Sequence, residues 1–238
     1  PKTQAQLAQH FSLSARGFRA LCRALVGLKL LQPEGESLRL STDSAELLVP
    51  GRPGYLGDLI DMDFETWMTP ELLLGAVRRG RPGVYGVDDM WAAHAEDPER
   101  TARFARMMTS ISCGPAVALA QTMDLSGHTH LLDVGGGSGI FTTTLLSTHP
   151  HLHATLYDLP QVQDLADAAF AEAGLAERAR VVTGDMFGEP WPKGADLLLL
   201  SQILHDWTPQ QCAQLLNSAF EAIEPGGTIW LHEKLIDA

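Results

Sequence analysis

The sequence predicts an α/β protein in which a winged-helix and helical region precedes a doubly wound, Rossmann-like parallel sheet. Three observations lead to this prediction. From residue 129 onward, short apolar runs of strand length alternate with helical stretches. A glycine-rich loop follows the first of these runs. The first fifty residues instead show a helix, a turn, a helix and two short strand-like runs. We therefore place the domains at residues 1–123 and 124–238.

The amino-terminal fifty residues have the element order of a winged helix. Thr3 and Gln6 form a capping box at the start of the first helix. Two short runs, Leu30–Gln32 and Leu38–Leu40, flank a turn at residues 33–36 that would form the wing. Such a module can bind DNA or pair subunits. Its net charge of only +2 favours packing and dimerisation, and a non-catalytic DNA-binding regulator stays open as the alternative.

The middle of the chain is predicted to be helical between Gly- and Pro-rich joints. Residues 97–123 place Phe104, Met107, Met108 and Ile111 at helical spacing. An apolar stripe of this kind usually packs into a core, but Met and Phe side chains also wall pockets for apolar ligands. Both interpretations stay open for this helix.

Composition disfavours several kinds of partner. The net charge of −12 disfavours nucleic acid. No apolar run is long enough to span a membrane. Cys22, Cys113 and Cys212 lie far apart, which indicates buried packing residues in a reducing cytoplasm rather than disulfides or a zinc site. We also expect the chain, from Pro1 to Ala238, to be part of a longer protein whose final strands are missing here.

Five runs after residue 129 are predicted to be parallel strands. Each is nearly all apolar, as expected for a strand that is buried on both faces of a sheet. They are His130–Val134, Ala154–Tyr157, Ala179–Val182, Asp196–Leu200 and Thr228–Leu231. In a doubly wound sheet the ligand lies at the carboxyl ends of the strands. We therefore expect the functional residues in the loops that follow these runs.

The first such loop, Asp133–Gly139, has the spacing D-x-G-x-G-x-G. Glycines allow the backbone to turn sharply and to approach a ligand closely, because they carry no side chain. A dinucleotide fingerprint would need glycine where Ile140 stands, and the Gly-Lys-Ser/Thr of a phosphate-binding loop is absent. A tight turn without a ligand is the alternative, although the position after a strand favours binding.

Acidic residues end the next two predicted strands. Asp158 follows the second strand, where a carboxylate can accept hydrogen bonds from both hydroxyls of a ribose. Asp185 follows the third, where an acceptor suits an adenine amino group and Met186 and Phe187 can pack on the ring. Either acid alone could be a helix cap. Together, beside a glycine loop, they predict a nucleoside pocket.

A histidine-rich motif before the second strand invites a metal interpretation. His149, His151 and His153 form H-x-H-x-H, but they precede the second strand and no carboxylate lies among them. We interpret them as solvated turn residues and predict no metal site.

After the fourth strand, Ser201–Trp207 reads SQILHDW, and here a family resemblance becomes close. Residues 131–237 resemble the S-adenosylmethionine (SAM)-dependent O-methyltransferases of the plant caffeate and flavonoid, hydroxyindole and bacterial polyketide types. The shared motifs are LLDVGGGSG, LYDLP, GDMF, LHDW and EPGGTIWLHEKLID. The winged-helix region and the run YGVDDMWAAHAEDPERTARFARMM are similar to the amino-terminal half of the family, so nearly the whole chain is covered.

The resemblance implies a class I methyltransferase sheet, SAM as cofactor, and methylation of a hydroxyl on a small, aromatic secondary metabolite. It also implies a homodimer whose amino-terminal domain helps to close the partner's pocket. A SAM-binding relative that has drifted to hydroxylation or decarboxylation is the alternative within the same fold. Relatives that lost methyl transfer often lack the histidine of LHDW, which is present here as His205.

The resemblance also assigns roles to individual residues. The implied catalytic residues are His205 as general base, Glu233 as a residue that orients it, and Asp206 beside it. The implied cofactor-binding residues are Gly135, Gly137, Asp158, Leu159, Asp185, Met186 and Ser201. The implied substrate-pocket residues are Met108 and Ser112, to which the apolar stripe on the same helix adds Phe104. Ser201 departs from the pattern, because plant members carry there a Lys that contacts the cofactor, and a second orienting glutamate would lie beyond Ala238.

The chemistry of methyl transfer agrees with a histidine base. A free phenol has a pKa of about 10 and is a poor nucleophile at neutral pH. An imidazole with a pKa of about 6.5 can take the proton as attack begins, which is typically worth about 10²–10⁴-fold in rate. Much of the remaining rate comes from positioning the reactants.

Overall fold

A computed structural model describes residues 2–52, 54–62, 69–80 and 90–235. The chain forms two compact units, residues 1–60 and 61–238. None of the described helices has the length and apolar character needed to cross a bilayer.

The first unit contains short helices around a three-stranded antiparallel sheet in the order β1–β3–β2. Its elements are β1 (Lys2–Thr3), α1 (Gln4–His10), α2 (Ala15–Gly27), β2 (Leu31–Glu34), β3 (Ser37–Leu40), α3 (Thr42–Leu47) and the start of α4 (Gly57–Met62). The predicted capping box is present, because the Thr3 hydroxyl accepts from the Gln6 N–H and the Gln6 side chain accepts from the Thr3 N–H. Phe18, Cys22 and Leu38 are buried at the centre of this unit.

The turn of the hairpin is shorter than the sequence predicts. Pro33 pairs with Leu38 and Glu34 pairs with Ser37, so both belong to β2 and the turn is confined to residues 35–36. Gly35 has a φ of +59°, which glycine adopts without steric cost. The helix, helix, hairpin order is as expected, but the role of this unit as a winged-helix dimerisation module stays a prediction.

The second unit begins with helices and continues into the sheet. The helices are α5 (Pro70–Arg79), α6 (Met90–Ala95) and α7 (Pro98–Thr122). The predicted helix near residues 97–123 is thus present, and Asp97 caps it by accepting from the Arg100 N–H at 3.0 Å. Ala116 and Ala120 of α7 are buried in the core that also contains the sheet residues. The domain boundary that we expect at 123/124 stays a prediction.

The sheet has five parallel strands in the order β6–β5–β4–β7–β8, which confirms the predicted doubly wound α/β architecture. Its elements are β4 (His130–Val134), α8 (Ile140–Thr148), β5 (His153–Asp158), α9 (Gln163–Glu172), β6 (Ala179–Thr183), β7 (Ala195–Ser201), α10 (Pro209–Ala222) and β8 (Ile223–His232). All five predicted strands are present, and β8 starts five residues earlier than expected, with an irregularity in its pairing to β7 between Ala195 and Leu197. The carboxyl ends of β4, β5, β6 and β7 bring the predicted loops to one edge.

Candidate active site

The glycine loop connects β4 to α8 in a conformation that requires glycine. Gly135, Gly137 and Gly139 have φ values of +71°, +56° and +78°. The Gly135 N–H donates to the Tyr157 carbonyl at 2.8 Å, which fixes the start of the loop against β5. A Cβ at Gly135 would lie 2.3 Å from Cδ1 of Ile203, so the glycine backbone lies directly against this side chain of the loop after β7.

Asp158 joins the end of β5 to the glycine loop. Its Oδ2 accepts a hydrogen bond from the Gly137 N–H at 2.8 Å, and its Oδ1 accepts from the Leu159 N–H at 2.7 Å. Burial raises the pKa of the Asp158 carboxyl, and these two N–H donors lower it. Each oxygen keeps a second lone pair, so the half-buried carboxylate can still accept from the hydroxyls of a bound ribose.

The Asp185–Met186 loop is held by two aromatic side chains. The Trp191 indole N–H donates to the Met186 carbonyl at 2.9 Å, and the Tyr157 hydroxyl donates to the Asp185 carbonyl at 3.2 Å. Oδ1 of Asp185 accepts from the Phe187 N–H at 2.9 Å. The Met186 methyl lies 3.9 Å from the Cβ position of Gly135, so this loop lies beside the glycine loop. The nucleoside pocket itself stays a prediction.

The turn that carries His205 is anchored by one carboxylate. Oε1 of Glu233 accepts from the N–H groups of Ile203 and Leu204 at 2.8 and 2.7 Å. Oε2 of Glu233 lies 2.8 Å from Nδ1 of His205. Because an ionised carboxylate only accepts, Nδ1 must carry the proton, which leaves the lone pair on Nε2. The His205 side chain is 49% exposed, so Nε2 is accessible to a substrate.

The same turn has further supports. Gln202 has a φ of +58°, a costly conformation for a non-glycine residue, and its N–H donates to the His232 carbonyl at 2.8 Å. The Cys212 thiol donates to the Leu204 carbonyl at 3.3 Å. Oδ1 of Asp206 lies 3.6 Å from Nε2 of His205. Burial and, more weakly, Glu233 raise the pKa of Asp206, while the His205 charge lowers it.

Ser201 ends β7 at the predicted edge of the sheet but is engaged by a residue that the sequence did not single out. Its hydroxyl lies 2.8 Å from Nδ1 of His232, in a hydrogen bond whose direction depends on the histidine tautomer. The His232 ring in turn packs against the Phe141 ring, with centroids 5.3 Å apart. A role for Ser201 in cofactor binding stays a prediction.

Comparison with known proteins decides the family. The protein-family sequence model that describes the O-methyltransferase domain matches residues 71–238. A 3-hydroxy-5-methyl-1-naphthoate 3-O-methyltransferase from Streptomyces sahachiroi is 36% identical over 234 residues, which cover 98% of this chain and 67% of the relative. The chain belongs to the O-methyltransferase family.

A second relative and a solved structure are also similar to this chain. The N,N-dimethyltransferase OxyT from Streptomyces rimosus is 32% identical over 222 residues, covering 90% of this chain and 63% of the relative. The crystal structure of human N-acetylserotonin methyltransferase in complex with SAM matches with a TM-score of 0.84 at 27% identity, covering 100% of this chain and 70% of that one. The chain thus spans about two thirds of the length of these relatives.

The predicted pocket residues of the O-methyltransferase all lie on α7. Phe104 packs against His94 and Trp91, with ring centroids 4.8 and 5.8 Å apart. Met108 is half-buried, and Ser112 is buried. This arrangement fits both a core helix and a pocket wall, so their contact with a substrate stays a prediction.

The histidine-rich motif has a structural role that the sequence did not reveal. His149 and His151 place Nε2 at 2.9 and 3.1 Å from the carbonyl oxygens of Ala120 and Leu125, so they fasten the end of α7 to the loop before β5. Our interpretation as solvated turn residues is therefore wrong for His149, which is half-buried, whereas His151 is exposed in a turn as expected. Within the part of the chain that the structure describes, no group of three or more His, Cys, Asp or Glu side chains could hold a metal.

The residues that sequence reasoning missed fix the backbone conformation of the loops around the site. Ile203 contacts the glycine loop, Trp191 holds the Met186 carbonyl, and Gln202 provides the sharp turn after β7. Their residue types carry no chemical signal in the sequence. Only the position of residues 202–203 directly before LHDW could have drawn attention to them.

Proposed function

We propose that this protein is a SAM-dependent O-methyltransferase in which His205 is the general base toward a hydroxyl of a small aromatic acceptor. The observation that supports this role most directly is the hydrogen bond from Nδ1 of His205 to Glu233. It fixes the tautomer in which the half-exposed Nε2 is the proton acceptor. Membership of the O-methyltransferase family supports the reaction class.

The residues at the carboxyl edge of the sheet fit the cofactor. Asp158 would offer its free lone pairs to a ribose, Asp185 a carboxylate oxygen to an adenine amino group, and Met186 an apolar contact to the ring. No atom lies within 4 Å of the Cβ position of Gly137, so the loop is open on that side. When bound, SAM supplies a methyl group on a positively charged sulfur.

Residues of the protein accept the hydroxyl proton and stabilise the charge that results. Nε2 of His205 takes the proton of the acceptor hydroxyl, and the resulting imidazolium lies between two carboxylates. Glu233 faces Nδ1 at 2.8 Å and Asp206 faces Nε2 at 3.6 Å, so both stabilise the positive charge. Glu233 also holds the turn through Ile203 and Leu204, which keeps the ring in one orientation.

The acceptor class follows from the relatives and from α7. The Streptomyces sahachiroi relative is named for a hydroxylated naphthoate. Phe104 and Met108 would offer a comparable apolar wall in this chain. The Streptomyces rimosus relative is named an N,N-dimethyltransferase, so an amine is the alternative acceptor that an assay has to include.

A homodimer through the first unit completes the proposal. This unit presents an apolar groove of about 670 Å³ lined by α1, α2 and the hairpin. Phe11 and Leu21 in the groove are 58% and 46% exposed. A second copy of the chain is the occupant that the family resemblance implies. We also expect the enzyme to act in the cytoplasm, where the three thiols, which form no disulfide, would stay reduced.

The decisive test is His205→Ala, assayed with labelled SAM, EDTA and a panel of hydroxynaphthoates, hydroxyindoles and their amino analogues. Removal of the base should lower turnover at least about a hundredfold on a hydroxylated acceptor. Affinity for S-adenosylhomocysteine (SAH), measured by calorimetry, should change no more than a few-fold. His153→Ala, at an exposed position at the opposite end of β5, is the matched control.

Near-normal turnover of His205→Ala would refute the base assignment. Turnover of amino analogues alone would overturn the O-methyl assignment, and failure of the wild type to bind SAH would overturn the methyltransferase itself. Loss of wild-type activity in EDTA, restored by a divalent metal, would contradict a reaction that relies on histidine alone.

A further inference from the structure

A hydrogen bond joins the glycine loop to the helix that carries the predicted acceptor pocket. Oγ of Ser138, between Gly137 and Gly139, lies 2.5 Å from Oγ1 of Thr109 on α7. The Thr109 hydroxyl already donates its one proton to the Ala105 carbonyl at 2.7 Å. Ser138 is therefore the donor and Thr109 the acceptor of a hydrogen bond from the glycine loop to α7.

Thr109 lies on the part of α7 that carries the predicted pocket residues. Thr109 follows Met108 directly and lies three residues before Ser112, so it moves with the predicted pocket residues. Toward the carboxyl end of α7, Pro115 interrupts the helical hydrogen bonds, because it cannot donate an N–H to the carbonyl of Ile111. Beyond this break, Ala116 and Ala120 are fixed in the sheet core.

Among the described residues, the half of α7 before Pro115 contributes none to the core cluster of the sheet, whereas the half after it contributes Ala116 and Ala120. An interrupted helix has a natural point of bending. The hydrogen bond between Ser138 and Thr109 crosses from the sheet's glycine loop to the half that can bend. Both groups are only partly buried, and they border a shallow hollow of about 260 Å³, so the link can break without leaving a sealed cavity.

We propose that Ser138 and Thr109 form a positioning contact that transmits cofactor binding at the glycine loop to the acceptor-binding half of α7. This inference rests on the proposed function, since it requires the loop to bind SAM and α7 to line the acceptor site. Ordering of the loop holds Thr109, and with it the pocket wall, in the orientation that the acceptor needs. The two ligands then bind with positive coupling.

The test is hydrogen exchange of the full chain with and without SAH, for the wild type, Ser138→Ala and Thr109→Val. Ser138 has no positive φ, so alanine fits its backbone, and valine matches threonine in shape. In the wild type, SAH should slow exchange both in the loop and in residues 100–112. In each variant the protection of the loop should remain, and that of residues 100–112 should be lost.

Thr122→Val is the matched control, because Thr122 lies on the same helix and its hydroxyl donates only to the Ala118 carbonyl, at 2.7 Å. It should behave as the wild type. The double variant Ser138→Ala/Thr109→Val should lose no more protection than Thr109→Val alone, since both substitutions remove the same bond between Ser138 and Thr109. The bond from Thr109 to the Ala105 carbonyl, which Thr109→Val also removes, is of the kind that Thr122→Val controls for. In turnover, both single variants should lower kcat about tenfold, as expected for misplaced reactants. Each should also raise the KM for one substrate when the other is saturating, because the coupling between the two ligands is lost.

The outcomes separate the two proposals. SAH binding with equal protection of residues 100–112 in wild type and variants would overturn this inference alone. Additive losses in the double variant, or the same loss in Thr122→Val, would also overturn it. Absence of SAH binding in the wild type would overturn the proposed function and this inference together.

Discussion

Asp133 lies buried at the start of the glycine loop, where an ionised group is costly. It is 1% exposed, and its Oδ2 accepts from the Thr142 hydroxyl at 2.7 Å. Burial raises the pKa of the Asp133 carboxyl to about 6, with a further increase from the Asp158 charge and a partial decrease from the Thr142 hydrogen bonds. The folded state thus binds this proton more tightly than the unfolded chain does.

The sign of the pH dependence follows from that difference. A carboxyl with a raised pKa contributes stability that is fully present below its unfolded pKa of about 3.9 and is lost as the pH rises through the folded value. Asp133→Asn cannot ionise, so its free energy of unfolding should increase relative to wild type by about 2 kcal/mol between pH 4.5 and pH 7.5. Urea unfolding at both pH values measures this change. Asp167→Asn, on the exposed face of α9, supplies the matched reference, and a pH-independent difference for Asp133→Asn would contradict the prediction.

At the scale of single residues, the sequence predicts chemistry better than orientation. Asp158 and Asp185 could be proposed as nucleoside-binding residues because two carboxylates end successive strands beside a glycine loop. That Asp158 accepts from Gly137 could not be predicted, because the contact depends on how two loops meet across the sheet edge. The hydrogen bond between Ser201 and His232 could not be predicted from the sequence either, because it depends on the pairing of β7 with β8.

The element that orients His205, the proposed base, is the short turn at Leu204–Asp206, which is held by Glu233, the residue directly after β8. Glu233→Gln should keep an acceptor for the N–H groups of Ile203 and Leu204. Its amide NH₂ would face Nδ1 of His205 and favour the tautomer with the proton on Nε2, which cannot act as a base. We expect turnover to fall by about 10²–10⁴-fold, the usual value of general base catalysis, with SAH affinity nearly unchanged.

Labelled-SAM turnover and SAH calorimetry check this prediction together, with Glu224→Gln, an exposed residue of β8, as control. A Glu233→Gln variant with normal kcat would show that the hydrogen bond to Nδ1 does not select the tautomer. Loss of SAH affinity would instead show that Glu233 supports the cofactor loops.

Elements are predictable where burial alone determines them. The five parallel strands could be recognised because their residues are apolar on both faces, and Leu197–Leu200 are indeed fully buried. The hairpin turn could not be placed correctly, because Pro33 is a common turn residue. It is tolerated in β2 since this strand lies at the edge of the order β1–β3–β2, where a missing N–H breaks no ladder.

For the molecule as a whole, charge and apolar surface are distributed unevenly. Residues 1–50 carry a net charge of +2, whereas the whole chain carries −12. The first unit also exposes the apolar groove around Phe11 and Leu21. A weakly charged, apolar surface favours contact between copies of a protein over binding of a polyanion.

A glutamate in the groove should therefore convert a dimer to a monomer. Phe11→Glu and Leu21→Glu each place a charge on a surface that the second copy would bury, and such burial without a partner costs several kcal/mol. Both residues are exposed within their own unit, so the fold of the single chain should persist. Sedimentation should show monomers for these variants and a dimer for the wild type, with circular dichroism unchanged. Phe220→Glu, at a residue of α10 that is 76% exposed, is the control that should stay dimeric. A monomeric wild type, or groove variants that sediment as dimers, would exclude this groove as the interface, because neither result is compatible with a second copy buried on Phe11 and Leu21.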